Sequence, residues 1–207
     1  MAEKTEFVDE NRDVMENYYD VLEDYYDLRE KGGSGDVESL KLVEDKIWGL
    51  IEKDPDFLDP YILLYDILKE EENPQQAEEL LDNAYERAVA LITDKNGNWP
   101  DILEWMHLEN RHIIRTILNK AILLWENEDF KNALELFRKL LKTNPGDNVG
   151  ARHYILAIRM GMTFDEFEDR FDKGGYYDTE LMDWFEDNYK DFPDEFGWWE
   201  EAVEELE

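Results

Sequence analysis

Arg111, Arg115, Arg152 and Arg159 are the densest grouping of side chains that could hold a ligand. Arg111 and Arg115 stand four apart, on one face if the segment is helical. Guanidinium forks bind phosphate or carboxylate bidentately. The chain carries 54 acids against 22 bases, net −32, so its own carboxylates are the nearer partners. Structural pairing is the leading expectation for this cluster, and a small anionic ligand is the alternative. The histidines are His107, His112 and His153, and no two stand at the spacing that puts two metal ligands on one helical face. His112 and His153 adjoin arginines, which lowers the basicity a general base needs. Cysteine is absent, which removes thiol nucleophiles, disulfides and Cys-ligated zinc. Ser34 and Ser39, the only serines, lie in or near a glycine-rich stretch, so no Ser-His-Asp scheme is credible. Asp94-x-Asn96-Gly97-Asn98 faintly suggests a calcium loop, but Gly sits at position four and Trp105 at position twelve. The expectation is a non-enzyme with no metal and no cofactor.

These residues must be positioned by helices. Val14, Tyr18, Leu22 and Tyr25 recur at helical spacing over residues 10–29. The pairs Tyr18-Tyr19 and Tyr25-Tyr26 are therefore expected in the core. Lys31–Asp36 (Lys-Gly-Gly-Ser-Gly-Asp) breaks the chain, and helix resumes through Leu40, Val43, Ile47 and Ile51. Asp59-Pro60 and Asn73-Pro74 each read as a cap followed by proline in the first turn. A helical stretch is expected from 101 to 126, then 129–143 and 148–160. Thr163 and Glu166 are spaced as a capping box. No alternating strand pattern appears. The organisation expected is an N-terminal tail 1–9, an all-α helical repeat domain 10–172 and an acidic aromatic C-terminal extension 173–207.

The charge is uneven: residues 163–207 hold 18 acids and 3 bases, net −15. Such a surface repels phosphates and anionic membranes and attracts cationic segments. No run of about 18 apolar residues exists, and the first residues have no basic-then-apolar leader, so a cytoplasmic protein is expected.

Val43, Ile47 and Leu50 recur 34 residues on at Ala77, Leu81 and Ala84, and Phe137 recurs at Phe171. Residues 114–147 form the best unit, with Ala121, Leu124, Phe130, Ala133, Phe137 and Pro145. On these positions the chain resembles the tetratricopeptide repeat family over roughly residues 10–172. Ala77 and Ala133 are 56 residues apart rather than 34, so the stack is irregular there. Glu109-Asn110-Arg111 with Arg115, followed by Asn144-Pro145-x-Asp147-Asn148-x-Gly150-x-Arg152, also resembles a group of uncharacterised prokaryotic repeat proteins, a likeness that brings no activity with it.

The family resemblance implies a solenoid of three to four helical hairpins with an acidic, aromatic helical C-terminal cap. It also implies a concave groove that binds peptides. One unit would contribute Asp59, Ile62, Asp66, Lys69 and Glu70, the next Arg115, Leu118, Ile122, Trp125 and Glu126, and the last Arg152, Leu156 and Arg159. The Lys/Asn clamp of the carboxylate-binding members is missing, so that ligand is not expected. The expected function is protein–protein interaction, as an adaptor or chaperone-like binder of a basic or amphipathic segment, with Trp125, Leu118 and Ile122 as apolar anchors. One alternative is a self-assembling homo-oligomer, in which aromatic surfaces at Tyr18–Tyr26 or Trp198-Trp199 pair two chains. The other is an anionic-ligand binder using the arginines. A further possibility is that the groove packs against the chain's own acidic tail.

Overall fold

The computed structural model describes residues 4–30, 37–177 and 179–204; the expected chain break at 31–36, with Ser34, lies outside the described residues. Among the described residues the fold is all-helical, with no strand beyond two isolated bridges. The helices are α1 (Met15–Glu30), α2 (Val37–Lys53), α3 (Asp59–Glu70), α4 (Pro74–Ile92), α5 (Arg111–Glu126), α6 (Phe130–Thr143), α7 (Ala151–Arg159), α8 (Phe164–Phe171), α9 (Thr179–Asn188) and α10 (Pro193–Glu204). The chain divides into two compact units, one of residues 8–99 and 106–116, the other of residues up to 7, 100–105 and 117 onward.

In the first unit α1 packs on α2 and α3, and α3 packs on α4. Helix α3 is buried on nearly every face from Asp59 to Leu68, the pattern of an interior helix. Ala77, Ala84 and Ala88 of α4 are fully buried, and their small side chains let α3 come close. Successive residues on a helix are about 100° apart, so a tyrosine pair cannot face one core. Tyr18 and Tyr25 are buried, whereas Tyr19 and Tyr26 are 52% and 57% exposed. The expectation that both pairs are core is corrected for the second member of each.

Two local expectations also change. Helix α3 starts one residue earlier than expected: Leu58, which has no side-chain acceptor, is the capping residue, and Asp59 lies inside the helix and accepts from Arg115. The helix expected from residue 101 begins with a short 3-10 turn, Leu108–Asn110, and then α5. Residues 101 and 102 are held extended by the N-terminal segment. The Phe7 amide donates to the Ile102 carbonyl, and the amides of Asp101 and Ile102 donate to the Thr5 carbonyl.

The second unit is built on aromatic contacts. Trp125 is 1% exposed and packs against Phe137, Tyr154, Phe164 and Phe167 at centroid separations of 6.4, 6.0, 5.4 and 5.5 Å. Its indole N–H donates to the Met162 carbonyl at 3.1 Å. A second cluster joins Phe185 of α9, Tyr189 of the following 3-10 turn, and Phe196 and Trp199 of α10. The Thr163–Glu166 capping box is present at the start of α8. Helix α7 starts three residues later than expected, after a turn through Gly150 at φ 75°, a left-handed backbone that favours glycine. Asp147 caps it by accepting from the amides of Ala151 and Arg152 at 2.7 and 3.1 Å.

Candidate functional site

The first unit carries a cleft between α1 and α3. One part, about 250 Å³, is lined by Tyr18, Tyr19, Leu22 and Tyr26 from α1, Asp59, Ile62, Leu63 and Asp66 from α3, and Arg115. A second part, about 410 Å³, shares Tyr26, Leu63 and Asp66 and adds Tyr25, Arg29, Lys69 and Glu70. Six residues expected in a groove, Asp59, Ile62, Asp66, Lys69, Glu70 and Arg115, are thus gathered along one surface.

Ion pairs mark both parts. Arg115 grips Asp59 with both nitrogens of its fork, Nε at 2.8 Å from Oδ1 and Nη2 on Oδ2. In the other part Arg29 binds Glu70 bidentately at 2.6 and 2.7 Å. The Lys69 ammonium lies 5.3 Å over the Tyr65 ring. Asp66 makes no hydrogen bond or ion pair to any described residue. Asp66 is exposed at the cleft surface, yet the groups crowded around it push its carboxyl up to about 6, although Lys69 pulls the other way. Two exposed phenol rings over an apolar floor, beside an unpaired carboxylate, suit an amphipathic guest bearing positive charge.

The groove residues of the second unit are placed differently. Trp125 and Leu156 are fully buried, so neither is an anchor for a guest. This corrects the expected role of Trp125: the aromatic residues of α6, α7 and α8 enclose it. Leu118, Ile122 and Glu126 are half-buried along α5. Arg152 and Arg159 are engaged by the chain's own C-terminal helices. Arg159 binds Asp194 at 2.8 Å and also Glu195, which Arg138 binds through both fork nitrogens. The Arg159 guanidinium lies 5.2 Å over Phe192. Arg152 pairs with Asp147 at 3.0 Å and lies over Phe185 and Trp199 at 5.3 and 5.5 Å. The Trp199 indole donates to the Pro145 carbonyl at 2.9 Å. Burial alone would raise Glu195, but the bonds from Arg138 and Arg159 hold its carboxyl below the usual range.

The buried histidines contrast. The Leu58 amide donates to His112 Nδ1 at 3.1 Å, so the proton sits on Nε2, which donates to Asp9 at 2.9 Å. Asp9 is also held bidentately by Arg12, and Arg12 reaches Asp54 at 3.2 Å. Every polar atom of this Asp–His pair is engaged, which leaves no basic nitrogen for catalysis. His153 is buried with its Nε2 unpartnered, and its ring lies edge-on to Phe185 at 5.2 Å. Burial first, and Arg152 second, lower its pKa to about 3.

Sequence reasoning missed Leu22 and Leu63 of the cleft and the Arg138–Glu195 pair, and it gave Tyr19 and Tyr26 to the core or to a self-pairing surface and not to a groove. Tyr19, Leu22 and Tyr26 carry a legible signal: they stand at i, i+3 and i+7, a stripe one step round the helix from the buried one. Arg138 and Glu195 are 57 residues apart and carry none.

Among the described residues no helix is long and apolar enough to cross a membrane. No family model, no curated protein and no solved structure matches this chain.

Proposed function

We propose that this chain is a non-enzymatic interaction module that binds a basic or amphipathic segment of another protein in the α1–α3 cleft. The observation that carries the reading is the cleft itself: exposed Tyr19 and Tyr26 above Leu22, Ile62 and Leu63, with Asp66 unpaired beside them. Aromatic anchors on a rigid helix face are the usual centre of a peptide-binding surface. The net charge of −32 adds long-range attraction for a cationic guest.

The tetratricopeptide-like reading belongs to the same proposal. It is supported by burial of the positions that recur 34 residues apart: Val43, Ile47, Leu50, Ala77, Leu81, Ala84, Phe137 and Phe171 are all core. In this reading α9 and α10 are the acidic aromatic cap. The anionic-ligand alternative loses support, because Arg115, Arg152 and Arg159 already hold carboxylates of the chain. Self-assembly through the tyrosines is separated by the test below.

The test is titration of a fluorescent amphipathic helical peptide of leucine and lysine into the full chain, with light scattering in parallel. Saturable binding that weakens about tenfold in Tyr19→Ala/Tyr26→Ala supports docking in this cleft. Absence of binding by a monomeric protein overturns it. Concentration-dependent dimerisation lost in the same double variant reassigns the cleft to a second copy.

A further inference from the structure

We propose that Asp66 is the specificity point of the cleft, receiving a single cationic side chain of the guest, lysine or arginine, against the ring of Tyr26. The inference rests on the docking role proposed for this cleft and names the chemistry that its centre recognises.

Three observations carry it. Tyr26, Leu63 and Asp66 are the residues common to both parts of the cleft, so they mark the point where the parts meet. The other carboxylates there are already engaged, Asp59 by Arg115 and Glu70 by Arg29. Asp66 has no such partner. At about 1.5 Å per helical residue it stands about 10 Å from Asp59 and about 6 Å from Glu70, between the two pairs. Tyr26 is 57% exposed, and its ring is tilted against that of Tyr25 at 5.7 Å. Leu63 offers an apolar floor for the methylene stem of lysine or arginine.

The arrangement joins a carboxylate, an aromatic face and an apolar floor. That combination selects a charged head on an aliphatic stem: the head pairs with Asp66 and the stem covers Leu63. A neutral amide in its place would leave the Asp66 carboxylate partly desolvated and unpaired, which disfavours it. The other titratable and charged groups lining the cleft are Tyr18, Tyr19, Tyr25 and Arg29 of α1, Asp59, Lys69 and Glu70 of α3, and Arg115 of α5. The Asp66 carboxyl is raised towards 6, so pH offers an independent handle on it.

The experiment compares three helical peptides that differ at one position, lysine, arginine or glutamine, on an otherwise leucine-faced helix. Each is titrated into the wild-type chain, Asp66→Asn and Tyr26→Leu at about pH 7.5 and about pH 5. The wild-type protein is expected to bind a cationic peptide about tenfold more tightly than the glutamine peptide at the higher pH. Asp66→Asn is expected to erase that preference, and so is the lower pH; Tyr26→Leu should reduce it. The lysine and arginine arms decide which head the site takes. If all three peptides bind the wild type equally, the docking role stands and the Asp66 assignment is overturned. A preference that survives intact in Asp66→Asn overturns it as well. If none of the peptides binds, the docking role itself fails.

Discussion

Arg159 and Asp66 belong to two helices expected to line one groove, yet their surroundings differ. Arg159 on α7 faces Asp194, Glu195 and the ring of Phe192, so its charge is matched within the chain. Asp66 on α3 faces exposed tyrosines and makes no ion pair. Both surfaces are built from rings and charges. On α7 those groups hold α9 and α10, whereas beside α1 they remain open to a guest. The difference teaches that residue type alone does not separate a binding surface from an internal seam. What separates them is whether the opposite charge is supplied by the same chain.

The largest effect that would sharpen this contrast lies in the fully internal node. Asp9→Ala leaves the buried Arg12 guanidinium and His112 without their shared acceptor. Losing one partner of a buried pair costs about 3–5 kcal/mol, to be read from the urea midpoint. Glu195→Ala should cost less, about 1–3 kcal/mol, because Arg138 and Arg159 are 39% and 26% exposed and can turn to water. Its further signature is faster proteolysis within α10. A loss as large as that of Asp9→Ala would mean that this seam is as internal as the Asp9 node.

The third effect is a pH dependence. His153 has a folded pKa of about 3 against an ordinary 6.5, so the unfolded chain binds the extra proton between those values. Its contribution to stability is complete above about pH 6.5 and is lost as pH falls towards 3, by at most about 1.4 kcal/mol per pH unit. Asp66 and Asp147, each raised to about 6, act in the opposite direction: stability is gained as pH falls through their folded values. His153→Leu isolates the contribution of this histidine. Relative to wild type it should lose less stability between pH 6.5 and 4, and parallel curves would refute the assignment.

The smallest effect on stability belongs to the open cleft. Tyr19→Ala and Tyr26→Ala are expected to shift stability by no more than about 0.5 kcal/mol each, as exposed substitutions do. A loss of several kcal/mol would place these rings in the core and break the comparison.

The helices were legible because the apolar period is strong and proline, glycine and capping residues punctuate it. The Thr163–Glu166 box needs only four residues and was read directly. The non-helical segment 101–107 was not legible, since it is set by hydrogen bonds from residues 5–7. Part of the cleft, Asp59, Ile62, Asp66, Lys69 and Glu70 of α3, was implied by the repeat resemblance and not by any signal in the helix itself. Trp125 was misplaced because an aromatic at helical spacing looks the same whether it faces a groove or a core. The Asp9–Arg12–His112 node joins distant segments, and nothing in any one of them announces the others.

Glu195 has one more consequence. Because it is tethered to the arginines it binds, it acts at a fixed effective concentration, typically millimolar for a short tether. A free carboxylate must exceed that level to displace it, so dilute metabolites leave the seam shut. A longer acidic helix carrying its own aromatic residues brings several contacts at once and is the kind of competitor that can open it.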